Sequence, residues 1–386
     1  MSPSRLGEAW YWLAPFGAPE EALQAFDKAI ALDSGFTPAY EHVLQLALWT
    51  VSEARARQYA VAYLALDPNE ANSASIRLVA RLLDPARSRS PETARLIDTI
   101  GVQPLWQAGL EHLGFWADSA ETAIRLFRAL PVGRRSTAGA DQWVGDTLMW
   151  PQYLAAALLD RGHLREAYQV YRPLITHPPN SRWAGFANPF RALALMGAVP
   201  AETVTAVIAR SLAPDSIGSN WLPWWLARRD TAALARVMQH ADRRAGRSMG
   251  SLERVRALSL RSAAAASLAL ARGDTATAIR DLQAMSDSFC ECAMQKLTLA
   301  QLLEARGDDR AAAEILDRWV WSLSGPFFVL GRLERARIAE RAGDRDKAIR
   351  GYRFVADVWR HADPELQTYV AEAREGLRRL GGEPRR

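Results

Sequence analysis

The sequence predicts an all-α protein, a solenoid of about ten helix-turn-helix units with a C-terminal capping helix. Three observations carry that expectation. The 386 residues include 69 Ala, and all of the 48 basic residues except Lys28, Lys296 and Lys347 are Arg, so the chain is built from strong helix formers. Its 24 Gly and 20 Pro are too few for a fibre or a low-complexity chain, and 49% apolar residues is far from a disordered composition. The tripeptides Arg272-Gly273-Asp274, Arg306-Gly307-Asp308 and Ala342-Gly343-Asp344 recur at spacings of 34 and 36 residues, each between two helical patterns. In such a break the Gly ends one helix in the left-handed conformation, and the Asp accepts the first free N–H groups of the next.

The elements follow from the N-terminus. Ala9 to Ala18 is apolar, but Glu8 precedes it and Arg5 is its one basic residue, so it reads as helix and not as a secretory leader. Breaks like those near the C-terminus fall at Gly17, Ser52, Ser88, Ala117-Asp118, Arg161-Gly162, Gly197 and Arg229-Asp230, at a mean spacing near 36 residues. Pro131 to Asp146, Ala213 to Asn220 and Ala241 to Ser251 interrupt the rhythm as loops or long connections. The first, with Gly133, Gly139 and Gly145, is the expected hinge, which divides the chain into an N-terminal array (1–130), the connection (131–146), a C-terminal array (147–363) and a capping helix and tail (364–386). On that last helix Leu366, Val370, Ala373, Leu377 and Leu380 share one face, as a helix covering an exposed core requires. The longest apolar run, Ala263 to Ala271, contains Ser267 and is too short to span a membrane. Two Cys cannot build a disulfide framework, and the expected compartment is cytoplasmic.

The repeat resembles the tetratricopeptide repeat (TPR), whose period is about 34 residues. In that family a small residue near the middle of the first helix faces an Ala near the start of the second. Ala155, Ala266, Ala300 and Ala336 fill the first position here, and Ala167, Ala278, Ala312 and Ala348 the second. Ala22, Phe26, Ala29 and Asp33 agree with the pattern, as do Ala56 and Asp67-Pro68, and Pro68 and Pro179 fall where the family ends a helix. The resemblance implies a right-handed superhelix whose inner wall is formed by the first helix of each pair. The segments Glu8-Ala9-Trp10-Tyr11, Pro19-Glu20-Glu21-Ala22-Leu23 running on to Ala31-Leu32-Asp33, Pro38-Ala39-Tyr40 and Trp359-Arg360-His361-Ala362-Asp363-Pro364-Glu365-Leu366-Gln367 are similar to the C-terminal repeat region of bacterial serine/threonine kinases and TPR-containing transcriptional activators. Because the chain opens within repeats, that resemblance implies an effector, a kinase or transcriptional regulator, encoded separately.

Catalytic motifs are missing. There is no Gly-rich phosphate loop, H-R-D loop or D-F-G, no dinucleotide fingerprint and no H-E-x-x-H. Gly246-Arg247-Ser248-Met249-Gly250 spells G-x-S-x-G, but Thr231 to Arg244 before it is helical by pattern, whereas a nucleophile elbow follows a strand. Cys290-Glu291-Cys292 lacks the second pair that structural zinc needs. The expectation is a non-enzymatic protein with no cofactor and no metal. The net charge of +5 is spread over short Arg pairs interleaved with 43 acidic residues, a salt-bridged surface and not a nucleic-acid stripe.

Recognition therefore falls to a groove. Trp221, Trp224 and Trp225 in Trp221-Leu222-Pro223-Trp224-Trp225 cannot all enter one helix-pair core; either one or two line a groove or the run packs tightly between repeats. Projecting the family's groove positions adds Met149, Gln152, Ala156 and Leu159, then Leu260, Ala263, Ser267 and Leu270, then Leu297, Gln301 and Glu304. The Lys/Asn clamp for C-terminal carboxylates seen in some co-chaperones of the family is missing, because the first units offer Gly7, Tyr11, Glu41 and Gln45, so the groove is expected to bind an apolar or mixed segment and not an acidic tail. Trp221, Trp224, Trp225, Met149, Gln152, Leu260 and Gln301 are the candidate partner-binding residues of a protein-interaction scaffold or regulator that holds a peptide or partner domain. The alternative is a ligand-sensing module detached from a kinase or activator.

Overall fold

In a computed structural model of the protein, residues 19–49, 53–66, 73–101, 149–176, 189–211, 221–246, 250–285, 293–319 and 325–382 are described, with isolated positions between 104 and 128. All regular structure among them is helical. The helices are α1 (Pro19–Leu32), α2 (Thr37–Trp49), α3 (Glu53–Ala65), α4 (Ser73–Leu83), α5 (Pro91–Thr99), α6 (Met149–Asp160), α7 (Leu164–Thr176), α8 (Pro189–Leu195) and α9 (Ala201–Ser211). They continue as α10 (Leu222–Ala227), α11 (Thr231–Ala245), α12 (Ser251–Ala271), α13 (Thr275–Gln283), α14 (Ala293–Ala305), α15 (Asp309–Trp319), α16 (Pro326–Arg341), α17 (Arg345–Val358) and α18 (Gln367–Arg379). Neighbouring helices such as α2 and α3, α6 and α7, α11 and α12, and α14 and α15 pack on one another, so the fold is an all-α solenoid of helical hairpins. The chain divides into two compact units, one of residues 1–187 with 353–386 and the other of residues 188–352. The expected hinge at 131–146 and the expected loop at 213–220 lie outside the described residues.

Six of the hairpins are closed by one device. Gly162, Gly197, Gly273, Gly307 and Gly343 have φ between 75° and 84°, and Arg229 takes the same role at φ 51°. The left-handed residue turns the next N–H back onto the end of the first helix: His163 donates to the Leu158 carbonyl, Ala198 to Leu193, Asp230 to Trp225, Asp274 to Ala269, Asp308 to Leu303 and Asp344 to Ala339, at 2.9–3.0 Å. The Asp then caps the second helix. Asp230, Asp274, Asp308 and Asp344 accept from the N–H groups of Ala233, Thr277, Ala311 and Lys347 at 2.9–3.1 Å, each cap contributing about 1 kcal/mol. The recurring tripeptides thus do what their chemistry requires.

Inside the hairpins the small residues meet. Ala155, Ala167, Ala266, Ala278, Ala300, Ala312, Ala336 and Ala348 are all buried. In the α16–α17 pair a Cβ on Gly351 would stand 2.7 Å from the Ala336 Cβ, so the two backbones have closed to a distance that leaves no room for a methyl group. In the first unit α1 buries Ala22, Phe26 and Ala29 against Ala39 and Val43 of α2. One expected loop is corrected: α11 runs on to Ala245, so the stretch from Ala241 to Ser251 is helical for its first half. Ion pairs from Arg261 to Asp242 and from Arg244 to Glu253, both 2.6 Å, tie that extension to α12.

The C-terminal segment meets the α6–α7 hairpin, about 200 residues earlier in the chain, within the same unit. His163 stands where four of the other five turns have Asp, and the missing cap comes from Asp363, whose Oδ2 accepts from the Arg165 N–H at 2.8 Å. Asp363 in turn donates its own N–H to the Gly162 carbonyl at 3.0 Å. Trp359, fully buried, donates Nε1–H to the Asp160 carbonyl at 3.2 Å, and Arg165 pairs with Glu365 at 2.6 Å. Val370, Ala373 and Leu377 of α18 are buried on one face, as their spacing predicts.

Gly162 carries two demands at once. A Cβ there would stand 2.6 Å from Ala362 and 2.8 Å from Leu366, in addition to the left-handed backbone; at Gly307 only the backbone matters, with open space around it. Gly307→Ala should cost about 1 kcal/mol, and Gly162→Ala should cost about 1–3 kcal/mol more, read by urea denaturation. Equal losses would refute the docking of residues 359–366 on this turn. Asp363→Ala should cost about 1 kcal/mol and speed hydrogen exchange at the Arg165 amide.

Candidate functional site

The described part of the second unit has a cavity of about 30 Å³ between α10, α12, α13 and α14. It is lined mainly by three pairs at helical i, i+4 spacing: Leu222 and Leu226 on α10, Ala266 and Leu270 on α12, Met294 and Thr298 on α14. Pro223, Ser267, Leu282 and Gln295 complete it. The Ser267 and Thr298 hydroxyls donate back to the Ala263 and Met294 carbonyls at 2.8 and 3.0 Å, which leaves them only acceptor capacity toward the cavity. The walls are otherwise apolar, with the half-buried Gln295 amide as their one group able to both donate and accept. Ser267 and Leu270, projected as groove positions, are in this wall.

The Trp run lies behind it. Trp221, Trp224 and Trp225 are all buried, so the idea that one or two of them face an open groove is not what is observed. Trp221 meets Phe190 edge-to-face at 6.0 Å and Trp224 at 6.4 Å, and the Arg228 guanidinium lies 3.1 Å over the Trp224 ring. The physical reason is that α10 is a single short helix on which Trp221/Trp225 and Leu222/Leu226 form two interleaved stripes. The aromatic stripe packs inward, and the aliphatic one is left for the cavity. That second stripe was visible in the sequence but was overshadowed by the larger rings.

The remaining candidates fall elsewhere. Leu260 is half-buried on α12 and Gln301 is exposed on α14, both outside the cavity wall. Gln152, in the first unit, is buried on α6 with its Nε2 unpaired, and Met149 begins the same helix with a side chain outside the described residues. Ser248, Cys290 and Cys292 also lie outside the described residues. Among the described residues no three or more His, Cys, Asp or Glu are grouped to hold a metal ion, and no helix is long and apolar enough to cross a membrane.

Beside α14, the helix α16 carries a charged cluster. Arg335 grips Asp317 with two hydrogen bonds of 2.6 and 2.9 Å, and Lys347 adds a third contact at 3.4 Å. Burial opposes the charge on Asp317, yet these two cations hold its carboxyl below the usual range. Arg341 bridges Glu304 at 2.5 Å and Asp309 at 2.9 Å. Glu334 is buried, accepts from Arg337 at 2.8 Å and shares a hydrogen bond with Glu304. Burial, followed by the neighbouring Glu304 carboxyl, pushes Glu334 up to about 7 despite Arg337.

No known protein family matches the chain, and no curated protein matches its sequence. Among solved structures it is similar to the APC/C hetero-tetramer Cut9–Hcn1, with 12% identity over 93% of this chain and 81% of that one at a TM-score of 0.41. It is also similar to Naa15/Naa10 bound to HypK-THB, with 14% identity over 94% of this chain and 60% of that one at 0.27. A third is the P58(IPK) TPR domain, with 14% identity over 97% of this chain and 89% of that one at 0.20. Likeness at this level assigns no role to any residue of this chain.

Glu334 generates a pH prediction. Its folded carboxyl keeps a proton up to about pH 7, whereas the ordinary value is 4.5, so between those values the folded state binds more protons than the unfolded one. Stability from this group therefore falls as pH rises through that window. Glu334→Gln should raise the Tm relative to wild type more at pH 8 than at pH 5. A difference that does not change with pH would refute the assignment.

Proposed function

We propose that the protein is a non-enzymatic interaction scaffold that holds a segment of a partner protein in the helix-lined cavity of its second unit. The observation that carries this reading is the set of three i, i+4 pairs, one from each of α10, α12 and α14, facing one cavity. A row of such pairs is how helical arrays offer successive pockets to an extended or helical segment. The tetratricopeptide-like spacing of the turns and of the Ala pairs supports assignment to that class of repeat. The cavity, at about 30 Å³, accepts the end of one apolar side chain. A site enclosing a small molecule is roughly tenfold larger, so peptide docking is favoured over metabolite sensing. The resemblance of the segments at 8–11, 19–33, 38–40 and 359–367 to repeat regions of bacterial kinases and activators favours a kinase or transcriptional regulator as the source of the segment.

Selection of a displayed peptide library on the purified chain tests the reading. Peptides recovered on wild type should bind at least about tenfold more weakly to Thr298→Phe, which places a ring in the cavity. Peptides that bind both proteins equally would place recognition elsewhere and overturn the proposal.

A further inference from the structure

The polar groups that line the cavity are few and unequal. Ser267 is buried and Thr298 half-buried, and both spend their hydroxyl protons on the Ala263 and Met294 carbonyls, so toward an occupant each presents only oxygen lone pairs. Turning either proton into the cavity would forfeit that bond. The Gln295 side chain completes the set: it is half-buried, and its amide has no hydrogen-bond partner among the described residues. The remaining lining residues are Leu, Pro, Ala or Met, so no charged side chain faces the cavity.

This inventory discriminates between anchors. A carboxylate only accepts, so the lone pairs of Ser267 and Thr298 repel it. An ammonium only donates, and no acid lines the wall to offset the loss of its hydration. A purely aliphatic tip suits the apolar residues but seals the two hydroxyl oxygens and the Gln295 amide away from water without partners. A hydroxyl both donates and accepts: its proton can go to the oxygen of Ser267 or Thr298 while its own oxygen takes an N–H of Gln295. Size narrows the choice further. A cavity of about 30 Å³ has room for about two or three heavy atoms, too few for a Tyr ring. Beyond its Cβ, threonine carries one hydroxyl and one methyl group.

We propose that the cavity selects a threonine of the docked segment. The inference rests on the docking reading above and deepens it by naming the anchor. The hydroxyl is held between Gln295 on one side and the Ser267 and Thr298 oxygens on the other, and the methyl group packs among Leu222, Leu226, Leu270 and Leu282. Serine meets the same polar groups without the methyl contact and is the weaker anchor.

Peptides selected from a displayed library of random sequence, titrated on the full chain by fluorescence anisotropy, test it. Those that Thr298→Phe excludes should share a threonine or serine. Replacing that threonine with valine, which keeps the shape and removes the hydroxyl, should weaken binding to wild type about five- to tenfold. On the chain carrying Ser267→Ala and Thr298→Val, which removes both acceptor oxygens, the threonine and valine peptides should bind within about twofold of each other. The comparison on wild type decides the matter even if that variant does not fold. Peptides that Thr298→Phe excludes but that carry no hydroxyl anchor, or that bind equally well with valine, would overturn the threonine inference and leave cavity docking standing. A preference for threonine that persists undiminished in the double variant would overturn the assignment of Ser267 and Thr298. Recovery of no peptide, or only of peptides that Thr298→Phe still binds, would overturn both readings.

Discussion

The fold depends on one local event, a residue in the left-handed conformation that sends the next N–H back to the carbonyl five residues earlier. Six hairpins are closed in this way. The bond satisfies a carbonyl at the end of the first helix, and the reversal brings the second helix alongside closely enough that only Ala or Gly fits at the crossing. Everything later in the hierarchy inherits that geometry: the buried Ala pairs, the placing of α10, α12 and α14 around one cavity, and the Asp caps. Arg229 shows that the conformation, not the glycine, is what the turn requires.

The arginine excess acquires a structural meaning from the same arrangement. Arg55 pairs with Asp27, Arg128 with Glu166, Arg335 with Asp317, and Arg341 with both Glu304 and Asp309, each joining one helix to another. Exposed pairs contribute little each, commonly under about 1 kcal/mol. Their larger effect is on register, because a guanidinium fork accepts a carboxylate in few orientations and misaligned hairpins would leave both unpaired.

How much of the site was legible depended on the length scale of each residue's contacts. Ser267 and Leu270 were reached by projecting helical periodicity from the turns, since a helix fixes which residues share its faces. Leu222 and Leu226 have the same periodicity but were masked by the neighbouring Trp residues, whose size suggested an exposed anchor. Side-chain size says how much burial is gained, not from which direction it comes, and here Phe190 and Arg228 cover the rings. Met294, Thr298 and Gln295 could not be found without knowing which face of α14 meets α12.

By itself the sequence determined the helical class, the six turns, the Asp caps of four of them, the small-residue crossings and the buried face of α18, because each is set within one or two turns of chain. The tertiary structure decided the rest. It placed Asp363 as the cap that His163 cannot supply to α7, it put the aliphatic stripe of α10 and not the aromatic one at the cavity, and it raised Glu334 by burying it and bringing Glu304 beside it. These depend on which distant residues meet, and a local pattern carries no information about partners 30 or 200 residues away.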